Sequence, residues 1–182
     1  MLKSIKFKKD WRCFKAGDVI NFHPLTLLVG DQGCGKSTVL GLLMNSDRKD
    51  TEETVDIKSN RIETRGFDYE KSNPRISSWI STPFDVYSRF GSHGEFVRAL
   101  NDTLIEQKGV CWLLDEPDSA LSIRSAAKLA DSIKTSVSEN KCQLIASIHS
   151  PIIIKAFNEV YSLEHRKWMF PDDFIQSQLK SG

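Results

Sequence analysis

Short apolar runs alternate along this chain with longer stretches whose apolar residues recur every three or four positions. Residues 2–8 (Leu-Lys-Ser-Ile-Lys-Phe-Lys) and 18–22 (Asp-Val-Ile-Asn-Phe) read as two short strands joined through Gly17. Leu25 to Val29 is a short apolar run of strand character, and Ser37 to Met44 opens a helix with Val39, Leu40, Leu42 and Leu43 to bury. Residues 45–75 are polar and charged. Strand-like pieces at 54–58 and 62–70 predict a small exposed antiparallel sheet there, and the segment around Pro74 and Pro83 carries no clear pattern. From Ser92 the periodicity returns. Phe96, Val97, Leu100, Leu104 and Ile105 fall on one helical face, and Gly109 ends that helix. Val110 to Leu114 is a run of the kind buried on both faces of a parallel sheet. A helix starts at Ser122, with Ile123, Ala127, Ala130, Ile133 and Val137 expected to face inward, and Leu144 to Ile148 is the next buried strand. The alternation predicts an α/β domain with a parallel central sheet flanked by helices and a small antiparallel sheet at the amino end.

Composition narrows the class without changing this outline. With 182 residues the chain is expected to form one domain with a substantial core. Its formal net charge of +1 advertises neither nucleic acid nor anionic lipid through a whole-chain field. The amino end is locally basic, with Lys3, Lys6, Lys8, Lys9, Arg12 and Lys15; a solvated strand face accounts for this more simply than a DNA-contacting patch. The four cysteines at 13, 34, 111 and 142 show no metal-ligand spacing, which suits a reducing, cytoplasmic setting, and no apolar run approaches a membrane span.

The chemistry is concentrated in a few places. Gly30-Asp31-Gln32-Gly33-Cys34-Gly35-Lys36-Ser37 is a complete G-x-x-x-x-G-K-S phosphate-cradling loop, followed by Thr38. In such a loop the backbone N–H groups meet phosphate oxygens, the lysine reaches the β- and γ-phosphates, and the serine hydroxyl ligates Mg²⁺. The strand before it and the helix after it are the context the motif requires. Asp115 and Glu116 follow the apolar run 110–114, at the strand end where a metal-holding carboxylate and a general base for an attacking water belong. His149 follows the strand 144–148 and is expected to face the same edge, in reach of a γ-phosphate.

Ser92-His93-Gly94-Glu95, Leu114-Asp115-Glu116-Pro117, Ser119-Ala120-Leu121-Ser122 and Ile148-His149-Ser150-Pro151, in this order, resemble the motifs of ABC-type ATPases. More closely, the chain is similar to small soluble AAA-domain proteins of the SMC-, RecF- and OLD-like branch, and Trp11-Arg12-Cys13-Phe14 resembles that branch's early arginine element. The resemblance implies a P-loop NTPase fold and one ABC-type domain over residues 1–182, with 45–90 a reduced, irregular insert. It implies ATP and Mg²⁺ as cofactors, Arg12 near the nucleotide, and Lys36, Glu116 and His149 as catalytic groups. Two heads would sandwich two ATP molecules. Ser92 and Gly94 of one chain would then contact the γ-phosphate held by the partner's loop, and residues 119–122 would line the seam. An ATP-dependent homodimer is thus expected, with DNA or an effector such as a nuclease as a further partner. Ser92 and Glu95 also have the spacing of a helix capping box, which is compatible with an anion site at the same helix end.

The chain departs from the family pattern at two points. His93 stands where the signature has its first glycine, and residues 38–91 contain no glutamine to order Mg²⁺ and water. Only 54 residues separate Ser37 from Ser92, leaving no room for a long coiled-coil arm. A transporter's nucleotide-binding subunit and a module that binds ATP with little turnover remain the alternatives.

Overall fold

The computed structural model describes residues 1–68 and 93–180, the side chains of 93–97 excepted. Its centre is a six-stranded sheet. In chain order the central strands are β3 (Leu25–Val29), β5 (Thr64–Asp68), β6 (Cys111–Asp115), β7 (Gln143–Ser147), β8 (Val160–Ser162) and β9 (Lys167–Met169), arranged β5-β6-β7-β3-β8-β9. All neighbours are parallel except the β8–β9 hairpin. Every residue of β6 and β7 is buried, which explains the apolar runs Cys111–Leu114 and Leu144–Ala146 within them: neither face meets water.

Alternation along the strands divides the core in two. Leu27, Val29, Trp112, Leu114, Leu144 and Ala146 point to one face. There they meet Leu100 and Leu104 of α3 (His93–Glu106), Ala126, Leu129 and Ile133 of α4 (Ile123–Ser138), Ile153 and Ile154 of α5 (Pro151–Lys155), and Phe174 of α6 (Pro171–Lys180). Leu28, Leu113, Ile145 and Tyr161 point to the other face, against Val39, Leu40 and Leu43 of α1 (Lys36–Met44) and the apolar side of an amino-terminal sheet. That sheet has the antiparallel order β2-β1-β4, from β1 (Leu2–Phe7), β2 (Val19–Asn21) and β4 (Val55–Ser59). Buried Gln143 ties the two sheets together, since its side-chain oxygen accepts Leu2 N–H at 2.7 Å and its amide donates to Leu2 O at 2.8 Å.

Two expectations need correction. The segment after α1 does not form a separate exposed sheet. After α2 (Lys49–Thr54), β4 pairs with β1, and β5 pairs in parallel with β6 as the edge of the central sheet. The expected alternation missed this because β5 is short and only Phe67 in it is buried. The buried face of α4 is also rotated from the one expected: Ala126, Leu129, Ala130 and Ile133 face the core, while Ala127 is exposed and Ile123 is 76% exposed. On α3, Ile105 is 45% exposed although Leu100 and Leu104 are buried. At Ala127 and Ile105 an equivalent neighbour, Ala126 or Leu104, offered the periodicity another phase, and Ile123 lies at the exposed start of its helix.

The basic amino end is mostly a solvated strand face. Lys3 and Lys6 alternate with buried residues of β1, Lys8 donates to Glu52 O at 2.7 Å, and Lys15 pairs with Asp10 at 2.9 Å. Among the described residues no helix is long and apolar enough to cross a membrane.

Leu144 is fully buried in β7 between β6 and β3. Leu144→Ala is expected to cost about 2–5 kcal/mol in urea unfolding, and Ile105→Ala at its exposed position within about 0.5 kcal/mol. Equal costs would contradict the helical face described for α3.

Candidate nucleotide-binding site

Between β3 and α1 the chain turns through Gly30 to Gly35. Three glycines there have left-handed φ: 143° at Gly30, 83° at Gly33 and 105° at Gly35. Two of them also have no room for a side chain. A Cβ on Gly30 would lie 2.7 Å from Cys34 Sγ, and one on Gly35 would lie 2.5 Å from Cys13 Sγ and 2.7 Å from the Phe14 ring. Around Gly33 nothing lies within 4 Å of such an atom. The loop is thus packed tightly on its inner side and open at its crest.

The helix that follows begins without a side-chain cap and with no acidic residue in its first turn. Its first N–H groups have no intrahelical acceptor, and the helix dipole adds partial positive charge. Both features suit an anion. Lys36 is buried and folds back over the loop, donating to Gly30 O at 2.7 Å and Asp31 O at 2.9 Å. Burial pushes the Cys34 thiol up, although Lys36 opposes the shift.

The carboxyl ends of β6 and β7 open at the same edge. Asp115 Oδ1 accepts hydrogen bonds from Ser147 Oγ at 2.6 Å and Ser37 Oγ at 3.2 Å. Burial raises the Asp115 carboxyl above the usual range; the two serine hydroxyls oppose this, and Asp68 and Glu116 add to it. Asp68 lies in register with Asp115 on the neighbouring strand, so β5 brings a second carboxylate to this edge. Glu116 is held at φ 50°, and its N–H donates to Ser147 Oγ at 2.7 Å. Its side chain lies 3.2 Å from His149 Nε2 and accepts from Ser119 Oγ at 3.2 Å.

A turn from the amino-terminal sheet closes over the loop. Trp11 and Phe14 form an isolated bridge, and Phe14 stacks on Phe7 with ring centroids 4.2 Å apart. Arg12 sits at φ 53° in this turn and donates to Thr38 Oγ1 at 3.2 Å. Cys13 Sγ contacts Cys34 O at 3.3 Å. From the other side Glu164 accepts the Asp31 N–H at 2.6 Å and receives Gln178 Nε2 at 2.8 Å.

Residues Gly30 to Thr38, Arg12, Asp115, Glu116 and His149 therefore converge at one end of the sheet. Gln32 is exposed in the loop. Ser92 lies outside the described residues, and Gly94 falls in the first turn of α3. The sequence reading missed Ser147, Asp118 and Glu164. Ser147 and Asp118 lie within two or three residues of motif positions that were read, and proximity was the available signal; Glu164 gave none.

A divalent cation fits this donor set. Ser37 and Asp115 offer hydroxyl and carboxylate oxygens of the hard kind Mg²⁺ prefers, in a buried spot where nearby carboxylates leave negative charge to be balanced.

No protein-family model and no curated protein matches the chain. Solved structures do. One, assigned as a metal-chelate type ABC transporter in an inward-facing conformation, is 19% identical with a TM-score of 0.50, covering 92% of this chain and 81% of that one. Another, an ATP-binding cassette of an ABC transporter in its ADP conformation, is 16% identical with a TM-score of 0.53, covering 94% and 87%. The likeness is one of fold, and the chain has the ABC-ATPase fold.

Because burial raises Asp115, the folded chain binds that proton more tightly than the unfolded chain does. Stability then falls as pH rises from the unfolded value to the folded one, and the cost persists at neutral pH. Asp115→Asn removes it. Without divalent cations the variant is expected to melt at a higher temperature than the parent at pH 7, the difference closing near pH about 3, where the carboxyl is protonated in both states. Calorimetry at the two pH values measures this. A less stable variant at pH 7 would mean that the serine hydrogen bonds outweigh burial.

Proposed function

We propose that the chain binds Mg·ATP in the loop Gly30–Ser37 and hydrolyses it, acting as an ATP-gated dimerising switch. The observation that carries this reading is the meeting of two features at one sheet edge: an uncapped helix start behind a glycine loop, and the Asp115–Glu116 carboxylates tied to Ser37, Ser147 and His149. The loop N–H groups and Lys36 would hold the β- and γ-phosphates, Lys36 exchanging its bonds to Gly30 O and Asp31 O for phosphate oxygens. Ser37 and Asp115 would hold Mg²⁺, which neutralises phosphate charge when bound. Glu116 would accept a proton from the attacking water as its oxygen bonds to the γ-phosphorus and the bond to ADP breaks. His149, beside Glu116, would orient that water or the γ-phosphate. Arg12 would approach the phosphates from the 11–14 turn.

In the dimer Ser92 and Gly94 of one chain would complete the other chain's site, and residues 119–122 would line the seam. The exposure of Ile123, next to that loop, supports a face that is covered on association. The switch would then act on DNA or on an effector such as a nuclease, as the resemblance to the SMC-, RecF- and OLD-like branch implies. A second reading, a nucleotide-binding subunit of an ABC transporter, is favoured by the transporter structures that share the fold. Co-purification with a membrane protein separates it from the first.

Lys36→Ala is expected to remove most affinity for a non-hydrolysable ATP analogue in isothermal titration, and unchanged affinity would refute the loop assignment. Glu116→Gln should keep binding and slow single-turnover hydrolysis by at least about 100-fold; a near-normal rate would move the base elsewhere.

Assembly gives an independent check. Ser92→Arg should leave nucleotide binding to the monomer intact and block the dimer, whereas Glu116→Gln should accumulate it in Mg·ATP. Light scattering after size exclusion reads both states. A Glu116→Gln chain that stays monomeric in saturating Mg·ATP would rule out the homodimer.

A further inference from the structure

The loop between Glu116 and Ser122 is tightly wound. Glu116 and Ala120 both hold left-handed φ, at 50° and 58°. Ser119 N–H bonds Glu116 O at 3.1 Å, and Leu121 N–H bonds Asp118 O at 3.3 Å. Inside this loop Asp118 is only 7% exposed, its carboxylate directed to the corner after β7. Asp118 Oδ2 accepts the N–H groups of both His149, at 2.8 Å, and Ser150. Asp118 Oδ1 is buried with no hydrogen-bond partner among the described residues.

Burying a carboxylate with one oxygen unmatched is unfavourable. The return is geometric. The contact between His149 Nε2 and Glu116 is 42% and 34% exposed on its two sides, where a pair held by charge alone is weak. Its alignment has to come from the backbones on which the two side chains stand. Asp118 is two residues from one of them and hydrogen-bonded to the other.

We propose that Asp118 is a positioning residue that fixes His149 against Glu116 by joining the 116–122 loop and the 149–150 corner into one body. The inference rests on the reading of Glu116 as general base, and it adds how that base is controlled. A partner pressing on residues 119–122 displaces Asp118, and Asp118 carries the displacement to the His149 ring. Seam contact and proton acceptance are thereby linked through a single carboxylate.

The chain has four histidines, so imidazole ¹H–¹⁵N spectra can be assigned with His149→Ala. The His149 ring resonance that moves in Glu116→Gln is expected to move likewise in Asp118→Ala. Asp118→Asn, which keeps an oxygen able to accept both N–H groups, should return it toward the parent position. Single-turnover hydrolysis should slow by about 10- to 100-fold in Asp118→Ala, the scale of a misplaced reacting group, with analogue affinity unchanged and most of the rate restored in Asp118→Asn. Asp118→Ala added to His149→Ala should slow the reaction no further. If Asp118→Ala does not fold, Asp118→Glu keeps the charge, moves the acceptor by one methylene and must shift the same resonance. An unmoved resonance in the folded variant, or a full additive loss in the double variant, overturns the proposal. Failure of the base reading is distinguishable: Glu116→Gln would then hydrolyse normally, while the ring resonance would still report the tether.

Discussion

Because β6 and β7 are buried on both faces, polar side chains have almost no place along them. The polar groups of this chain therefore gather where the strands end. Asp115 is the last residue of β6, Ser147 the last of β7, and Gly30 follows the last residue of β3. Parallel pairing aligns these ends at one edge, and α1 and α4, which follow β3 and β6 in the chain, start from the same edge. A constraint on burial thus becomes a constraint on where acids, hydroxyls and free N–H groups can meet.

The edge is held by tertiary contacts that offset local strain. Arg12, Glu116 and Ala120 occupy left-handed backbone that non-glycine residues adopt at a cost of order 1–3 kcal/mol each. The Arg12 turn is pinned by the Phe7–Phe14 stack and by Arg166, which donates to Cys13 O at 3.2 Å and pairs with Asp18. The Glu116 turn is pinned by Ser147 and Asp118. Neither turn would keep its shape in an isolated peptide, so the arrangement at this edge depends on the whole sheet being assembled.

This explains which parts of the molecule were legible in the sequence. The loop Gly30–Ser37 could be read because each of its requirements is local: glycine at positive φ, a lysine within reach, a strand before and a helix after. The apolar strands 25–29, 110–114 and 144–148 could be read because burial on both faces leaves a continuous run. Strand β5 could be read as a strand but not placed, since an edge strand with one buried side chain resembles part of an exposed hairpin. The inward face of α4 was misphased because Ala126 and Ala127 are equivalent to periodicity, and packing chose between them. The roles of Asp118 and Glu164 were not legible for another reason. Each acts on backbone N–H groups more than 30 residues away in the chain, and an acceptor for a backbone donor leaves no pattern in sequence.

The strand order has a consequence for how the chain is made. β3, which carries the phosphate loop, is flanked by β7 and β8 and by no strand that precedes it. On a ribosome the loop sequence emerges before its sheet neighbours, and the strand beneath it has no hydrogen-bonding strand until residues 143–162 have followed. Pairings of such wide sequence separation form slowly. β3 and the glycine loop after it therefore gain their place in the sheet only once β7 and β8 are present, and a ligand held by the loop would favour the fold only from that point.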